Sequence, residues 1–484
     1  MSKYKNIVYD SRAVKAGDLF CAIKGFAFDG NDFIEKAVES GAIAVLSENE
    51  KPANFTTEWI KCDNVKQEMA KLGKEHYGIN FDDIFCAAVT GTNGKTSIAT
   101  IIYEILSAIY GEENSVLTGT IGNRVCGEFF EAARTTPEAI DTLKMLGTAK
   151  NKIKFLSMEA SSHALMLERL TGFNFDLAIF TNLTQDHLDF HKTMEEYYEA
   201  KKRLFTEHLK ENGIAMINID DDWGEKLYAQ IADKATHVLT PNIVRTRLAL
   251  SVGFDKSADY KISDAHCDWT GTFFKIKTPQ GKTLKFRTKL IGHFNVINCA
   301  QAVCGLLACG FDEQQIIDGL AKVKQVEGRI DKIELDAPFS VIVDYAHTPD
   351  ALLKILTTAR KLTKGDLICV FGAGGHRDKT KRPIMADVVA KNCDFAVLTS
   401  DNPRDEDPQT IIDEVKKGFP LDFPHKIIVD RKEAIKFAIE NAKEGDAVII
   451  TGKGHEKYQE INGVKHHFDD KEVVRELFNH NLRI

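Results

Sequence analysis

The chain has 484 residues, enough for about three domains of ordinary size. With 43% hydrophobic, 28% charged and 9% aromatic residues it sits at the globular average, which excludes disordered, collagen-like and coiled-coil classes. Its 63 basic and 71 acidic residues leave a formal charge of −8, so no nucleic acid or membrane partner is expected and any nucleotide contact must be local.

From Lys5 to about Phe85, short apolar runs (Ile7 to Tyr9, Leu19 to Ile23, Ala42 to Leu46) alternate with helical stretches such as Phe33 to Ser40, which predicts a small α/β domain over residues 1–85. The run Cys86 to Thr90 enters a glycine-containing turn. After it, Ile98, Ile101, Ile102, Ile105, Leu106 and Ile109 keep a helical period that Gly111 closes. Apolar segments recur at Lys154 to Met158, Leu177 to Phe180 and Ile214 to Ile217, the pattern of a parallel sheet under covering helices. From Arg247 to Leu290 alternation around a Pro279 to Lys282 turn predicts an antiparallel excursion, followed by a helix around Asn298 to Cys309. This central domain is expected over residues 86–325. The remainder, 326–484, carries five apolar runs (Val341 to Val343, Leu367 to Phe371, Ala396 to Leu398, Ile427 to Val429, Ala447 to Ile450) and reads as a doubly wound, Rossmann-like sheet.

Ten cysteines are scattered singly, and the spacing of Cys299, Cys304 and Cys309 suits neither CxxC redox chemistry nor zinc, so buried thiols in a reducing cytoplasm are expected. The opening residues lead into no apolar signal core, and no run approaches the ~18 apolar residues that span a bilayer, so neither export nor anchoring is expected.

Chemistry concentrates where strands end. Gly91-Thr92-Asn93-Gly94-Lys95-Thr96 lies between a strand and a helix, where backbone N–H groups cradle phosphates, Lys95 neutralises them and Thr96 offers a hydroxyl to Mg²⁺. Only two residues separate the first glycine from Gly-Lys-Thr, against four in the common P-loop. Glu159 and His187 each follow an apolar strand and would share that sheet edge, suited to metal ions beside a triphosphate; a helix cap and a structural histidine are the plainer alternatives. The Lys201-Lys202 pair reads as a solvated helix face, and Arg329 as either a surface arginine or a reach toward a nucleotide. Four polar clusters follow strands of the last domain: Asp344 to His347, Gly372 to Arg377, Ser400 to Arg404 and Gly452 to Glu456. Arg377 and Arg404 suit a bidentate grip on carboxylates, while Asp401 or Glu456 would receive an ammonium, so the implied ligand is zwitterionic.

Together these residues resemble the Mur ligase family, the likeness running over nearly the whole chain. It is carried by Asp10-Ser-Arg12, Gly91 to Ser97, Thr135-Thr-Pro-Glu138, Met158 to Leu165, Asp186-His-Leu-Asp189, Ala200-Lys201, Gly292-His-Phe-Asn295, Gly328-Arg329, Asp344 to Pro349, Asp401 to Arg404 and Gly452 to Glu456. In that family the short phosphate loop is the normal form.

The resemblance implies a three-domain monomer that joins ATP, UDP-MurNAc-L-Ala-D-Glu and an incoming diamino-dicarboxylic acid. Tyr9 and Ser11 would hold the UDP end, and Thr135, Thr136, Ser161 and Arg169 the sugar and dipeptide. ATP would rest on Gly91 to Ser97, completed by Asn295, Arg329 and Asp344. Thr96, Glu159, His187 and Lys201, the last as a CO₂-derived carbamate, would hold two Mg²⁺ ions. Arg377, Asp401, Asn402, Arg404, Gly452 and Glu456 would take the added amino acid. Arg404 favours meso-diaminopimelate over L-lysine, with meso-lanthionine equally compatible. His376 departs from the family, which usually has Asp before Arg377. A folylpolyglutamate-synthase-like ligase, a P-loop kinase and, from Gly372-Ala-Gly-Gly, a dinucleotide oxidoreductase are the competing readings.

Overall fold

The computed structural model describes residues 3–25, 28–149, 153–235, 248–268, 270–324 and 330–481. They fall into two compact units: unit 1 holds 1–252 and 301–316, unit 2 holds 253–300 and 317–484.

Unit 1 begins with a parallel sheet of β1 (Ile7–Val8), β2 (Leu19–Cys21), β3 (Ala44–Ser47) and β4 (Glu58–Lys61), paired in that order. Its side chains alternate between two cores. Leu19, Cys21, Ala44 and Leu46 pack on one face, Phe20, Ala22 and Val45 on the other. Both faces are covered, so the first three strands read as apolar runs in the sequence. β4 was not foreseen, because Glu58-Trp-Ile-Lys61 is half-exposed and charged at both ends.

The second sheet of unit 1 is built from β5 (Phe85–Thr90), β6 (Ser115–Gly119), β7 (Gly122–Val125), β8 (Glu128–Phe130), β9 (Phe155–Glu159), β10 (Phe175–Phe180), β11 (Leu209–Asn218) and β12 (Leu248–Gly253). They lie in the order β12-β11-β10-β5-β9-β6-β7-β8, parallel except where β7 and β8 fold back. β12 corrects one expectation: the alternating stretch that starts at Arg247 was read as antiparallel, yet β12 pairs parallel with β11. Alternation signals only that one side of a strand is wet, and β12 has an exposed Leu248 beside a buried Ala249. The parallel order sends the carboxyl ends of β5, β9 and β10 to one edge, where ligands of such sheets bind.

Unit 2 carries an antiparallel sheet, β13 (Tyr260–Asp268), β14 (Gly271–Lys277) and β15 (Thr283–Thr288), whose last hairpin turns where Pro279 to Lys282 predicts. Its larger sheet comprises β16 (Asp331–Ile333), β17 (Ser340–Asp344), β18 (Leu367–Phe371), β19 (Phe395–Leu398), β20 (His425–Ile427) and β21 (Ala447–Thr451), in the order β16-β17-β21-β18-β19-β20. Only β16 runs antiparallel. β20 pairs two residues earlier than the apolar run Ile427 to Val429 suggested. The hairpin β22 (Tyr458–Ile461) and β23 (Val464–His467) follows.

All ten cysteines are free; Cys62, Cys126, Cys267 and Cys309 are only partly buried, against the expectation that all would be buried thiols. Among the described residues no helix is long and apolar enough to cross a membrane.

Candidate active site

β5 delivers the chain into the phosphate loop, and the helix Lys95–Tyr110 leaves it with its N-terminus at the same edge. The turn depends on two glycines. Gly94 sits at φ +90°, and a Cβ on Gly91 would fall 1.8 Å from Thr181 Oγ1. The loop is braced from β10: Thr92 N donates to Asn182 O at 2.9 Å, Asn93 N to Asn182 Oδ1 at 3.0 Å and Thr181 Oγ1 to Asn93 O at 2.6 Å. Lys95 Nζ folds back on the loop, donating to Gly91 O at 3.0 Å and Thr92 O at 2.9 Å.

Glu159 ends β9 beneath that loop, fully buried. Its carboxylate accepts from Thr96 Oγ1 (2.9 Å), Thr120 N (2.7 Å) and Thr120 Oγ1 (3.1 Å). It is not a helix cap. Gly119 makes room for it, since a Cβ there would stand 2.3 Å from Glu159 Oε1.

Lys201 overturns its reading as a solvated lysine: it is 1% exposed, and Nζ donates to Gly91 O at 2.7 Å beside the Tyr197 ring. Burial, with Lys95 nearby, drives its pKa well below that of an ordinary lysine. Its neighbour Lys202 is half-buried and pairs with Glu199. The helix Met194–Thr206 carried a signal that could have found it, since Tyr197, Ala200, Lys201 and Leu204 fall on one buried stripe.

His187, in left-handed backbone at φ +54°, lies with its ring centroid 4.8 Å from that of His163 and its Nε2 3.4 Å from Asp186 Oδ2. Burial, opposed by Asp186, pushes its pKa down to about 4, so the ring is neutral at pH 7.

Thr136 Oγ1 donates to Glu159 O at 2.7 Å, accepts from Ser161 N at 3.1 Å and stands 3.2 Å from Ser161 Oγ; Thr120 Oγ1 meets Thr135 Oγ1 at 3.1 Å. Arg169 pairs with Glu138 at 3.1 Å. These four expected dipeptide contacts thus cluster around Glu159 and its strand. Tyr9 donates to Asp141 at 2.8 Å, and Ser11 is buried in the short helix that Asp10 caps.

In unit 2, Asp344 ends β17 and accepts from Ile330 N and Ala346 N, both at 2.7 Å. Asn295 is buried, holding Ile291 O at 2.8 Å. Arg329 falls outside the described residues. Asp401, Asn402 and Arg404 follow β19, and Gly452 and Glu456 follow β21. Asn402 Nδ2 donates to Glu456 Oε2 at 2.7 Å. Gly452, at φ +112°, is needed because a Cβ would stand 2.8 Å from Asp401 Oδ2. Arg404 and Arg377 flank Gly374, where a Cβ would lie 3.3 Å from Arg404 Nη1 and 3.7 Å from Arg377 Cγ. Arg404 is held by Gly375 O at 2.5 Å and Glu460 at 3.4 Å. His376 points its exposed ring at Asp405, while its backbone N–H donates to Glu406 Oε1 at 2.6 Å.

Three family models match this chain: the Mur ligase family catalytic domain over residues 3–77, the Mur ligase middle domain over 89–306 and the Mur ligase glutamate ligase domain over 328–454. The chain belongs to the Mur ligase family. Its three-domain α/β fold is that family's fold. The UDP-N-acetylmuramoyl-L-alanyl-D-glutamate–2,6-diaminopimelate ligase of Syntrophomonas wolfei is 42% identical over 97% of this chain and 94% of its own length. The ligase of the same name from Aquifex aeolicus is 42% identical over 99% and 94%. A solved structure carrying that name superposes with a TM-score of 0.70 at 36% identity, covering 99% of this chain and 95% of its own.

Two groups in this Mur ligase were not singled out from sequence. Thr120 supplies two of the contacts to Glu159, but a threonine in an unpredicted hairpin carries no spacing signal. Lys453 lies fully buried among Asp401, Asn402 and Glu456, inside a cluster from which only Gly452 and Glu456 were chosen.

Proposed function

We propose that this Mur ligase forms the amide bond that adds meso-diaminopimelate to the D-glutamate γ-carboxylate of UDP-MurNAc-L-Ala-D-Glu, a cytoplasmic step of peptidoglycan precursor synthesis carried out by a monomer. One observation carries the choice of amino acid. Arg404 and Arg377 flank Gly374, while Asp401, Asn402 and Glu456 sit on neighbouring loops of the same sheet edge, so guanidinium and carboxylate groups are offered to a ligand with both charges at each end. The diaminopimelate-ligase names of relatives 42% identical over nearly the full chain agree with that choice. Meso-lanthionine has the same two ends and remains a second substrate.

A carboxylate resists attack by an amine. Its γ-oxygen therefore takes the γ-phosphoryl group of ATP, giving an acyl phosphate and ADP; the amino acid's free amine then adds to the acyl carbon, and phosphate leaves as the amide forms. Lys95 is assigned to the charge on the transferring phosphoryl group. Thr135, Thr136, Ser161 and Arg169 are assigned to the dipeptide, Tyr9 and Ser11 to the uridine end, and Asn295, Arg329 and Asp344 to the nucleotide.

Magnesium fits the donors present. Among the described residues no three His, Cys, Asp or Glu side chains could hold an ion by themselves. Mg²⁺, however, takes one or two carboxylates plus substrate phosphates, and Thr96, Glu159 and a carbamate on Lys201 are hard oxygen donors of that kind, with the neutral His187 ring beside them. Bound there, two ions would offset charge on the phosphates. Lys201 fits the carbamate because CO₂ combines with a neutral amine, and burial together with Lys95 shifts this one toward the neutral form.

The test is phosphate release by purified protein with ATP, Mg²⁺ and the UDP-dipeptide, with meso-diaminopimelate, meso-lanthionine or L-lysine added in turn. Release with either of the first two and little with lysine is expected. Preference for lysine removes the role given to Arg404, and release indifferent to all three removes the ligase assignment.

A further inference from the structure

Lys453 lies in the loop after β21 with its side chain 0% exposed. Its Nζ donates to Asn402 Oδ1 at 3.0 Å and stands 3.5 Å from Glu456 Oε2 and 3.7 Å from Asp401 Oδ1, with the Tyr458 ring 5.6 Å away. Asn402 Oδ1 also accepts from Glu460 N at 3.0 Å. Two donors on Oδ1 fix which way the amide faces. The NH₂ end must then point at Glu456, as the 2.7 Å bond from Nδ2 to Oε2 shows. Buried charge is costly unless paired, and here one lysine serves two carboxylates. The cluster therefore keeps one uncompensated negative charge, and Asp401 Oδ1 is a buried oxygen with no hydrogen-bond donor.

We propose that Lys453 is a positioning residue of the amino-acid pocket: it locks Asn402 and ties down one oxygen of Glu456, leaving an orientation and a net charge of minus one that fit a single ammonium. The proposal rests on the amino-acid assignment above. A positively charged residue inside an ammonium site is counterintuitive, but without it the carboxylates of Asp401 and Glu456 on adjacent loops would be offset only by Arg431, which is already paired with Asp470, and their repulsion would spread the pocket before a substrate arrived.

The titration of Glu456 gives a readout that mere packing would not move. Burial raises its pKa, Lys453 lowers it and Asp401 raises it. The other groups facing it are Tyr458 and Arg431, the latter already bound to Asp470 at 2.7 Å. Removing Lys453 should raise the pH at which the carboxylates become competent.

The experiment compares wild type, Lys453→Met and Lys453→Gln with ATP, UDP-dipeptide and meso-diaminopimelate. For Lys453→Met we expect KM for the amino acid to rise about tenfold or more while kcat changes less than about threefold and KM for ATP is unchanged. The acid limb of kcat/KM for the amino acid should move up by about one pH unit. Lys453→Gln keeps a donor for Asn402 and loses the charge, so its pH limb should move with a smaller rise in KM; it carries the test alone if the Met variant does not fold. Unchanged amino-acid KM and pH limb in a folded variant, or an equal loss for all three substrates together with a lower Tm, would overturn the proposal. Wild type inactive with every diamino acid would instead refute the functional reading.

Discussion

At the scale of single residues, the carbamate proposed on Lys201 follows from its burial. Shutting an amine away from water beside Lys95 lowers its pKa and so favours the neutral form, the form that reacts with CO₂. Wild-type protein assayed in buffer stripped of CO₂ should lose activity and regain it on adding bicarbonate. Lys201→Ala should fall by about 10²-fold or more in kcat, the usual cost of removing one electrostatic stabiliser, and show no bicarbonate response. Activity indifferent to bicarbonate in the wild type would refute the carbamate. The residue was hidden in the sequence because Lys201-Lys202 looks like a charge run, and charge runs are usually wet; only its place on the Tyr197, Ala200, Leu204 stripe marks it as inward-facing.

At the scale of elements, the loops after β18 and β19 are tied together by Arg382. Fully buried on the helix Lys381–Asn392, it donates to Glu406 (3.0 and 3.1 Å), Glu414 (2.6 Å) and Gly374 O (3.1 Å). Arg382 first, then the His376 N–H and Lys379, pull the Glu406 pKa from 4.5 down to about 2. A depressed carboxylate contributes stability above its unfolded pKa and loses it as pH falls through the folded value, so the window here is from about pH 4.5 down to about 2. Wild-type Tm should therefore drop more steeply than that of Glu406→Gln as pH falls from about 5 to about 3, and parallel curves would refute the coupling. The parallel strands β5, β9, β10, β18 and β21 were readable because they are buried almost throughout and each carries a run of mostly apolar residues. β4 and β8 were not, because half-wet edge strands mix charges and aromatics, as Glu128-Phe-Phe130 does with all three side chains exposed; β6 and β7 are mostly buried, but Ser115-Val-Leu-Thr-Gly119 and Gly122-Asn-Arg-Val125 offer no apolar run. The loop clusters were legible as chemistry, and their pairing across loops was not: no spacing links Asn402 to Glu456 or His376 to Glu406.

At the scale of the whole molecule, two compact units with separate cores make a single unfolding transition the wrong expectation. Calorimetry should give a calorimetric enthalpy larger than the van't Hoff value, and the UDP-dipeptide, whose assigned contacts all lie in unit 1, should raise that unit's transition first. One two-state transition in the absence of the UDP-dipeptide would refute the separation.

The units are also interleaved along the chain, since 253–300 belongs to unit 2 but precedes 301–316 of unit 1. Gln301, whose Nε2 donates to Phe180 O at 2.6 Å, is part of what unit 1 waits for. During synthesis at roughly 5–20 residues per second, the ribosome must make a foreign stretch for several seconds before the first unit can finish its own core. The nascent protein thus passes through a period with its phosphate loop already translated and the helix that backs β10 not yet made, which is when a chaperone would find it.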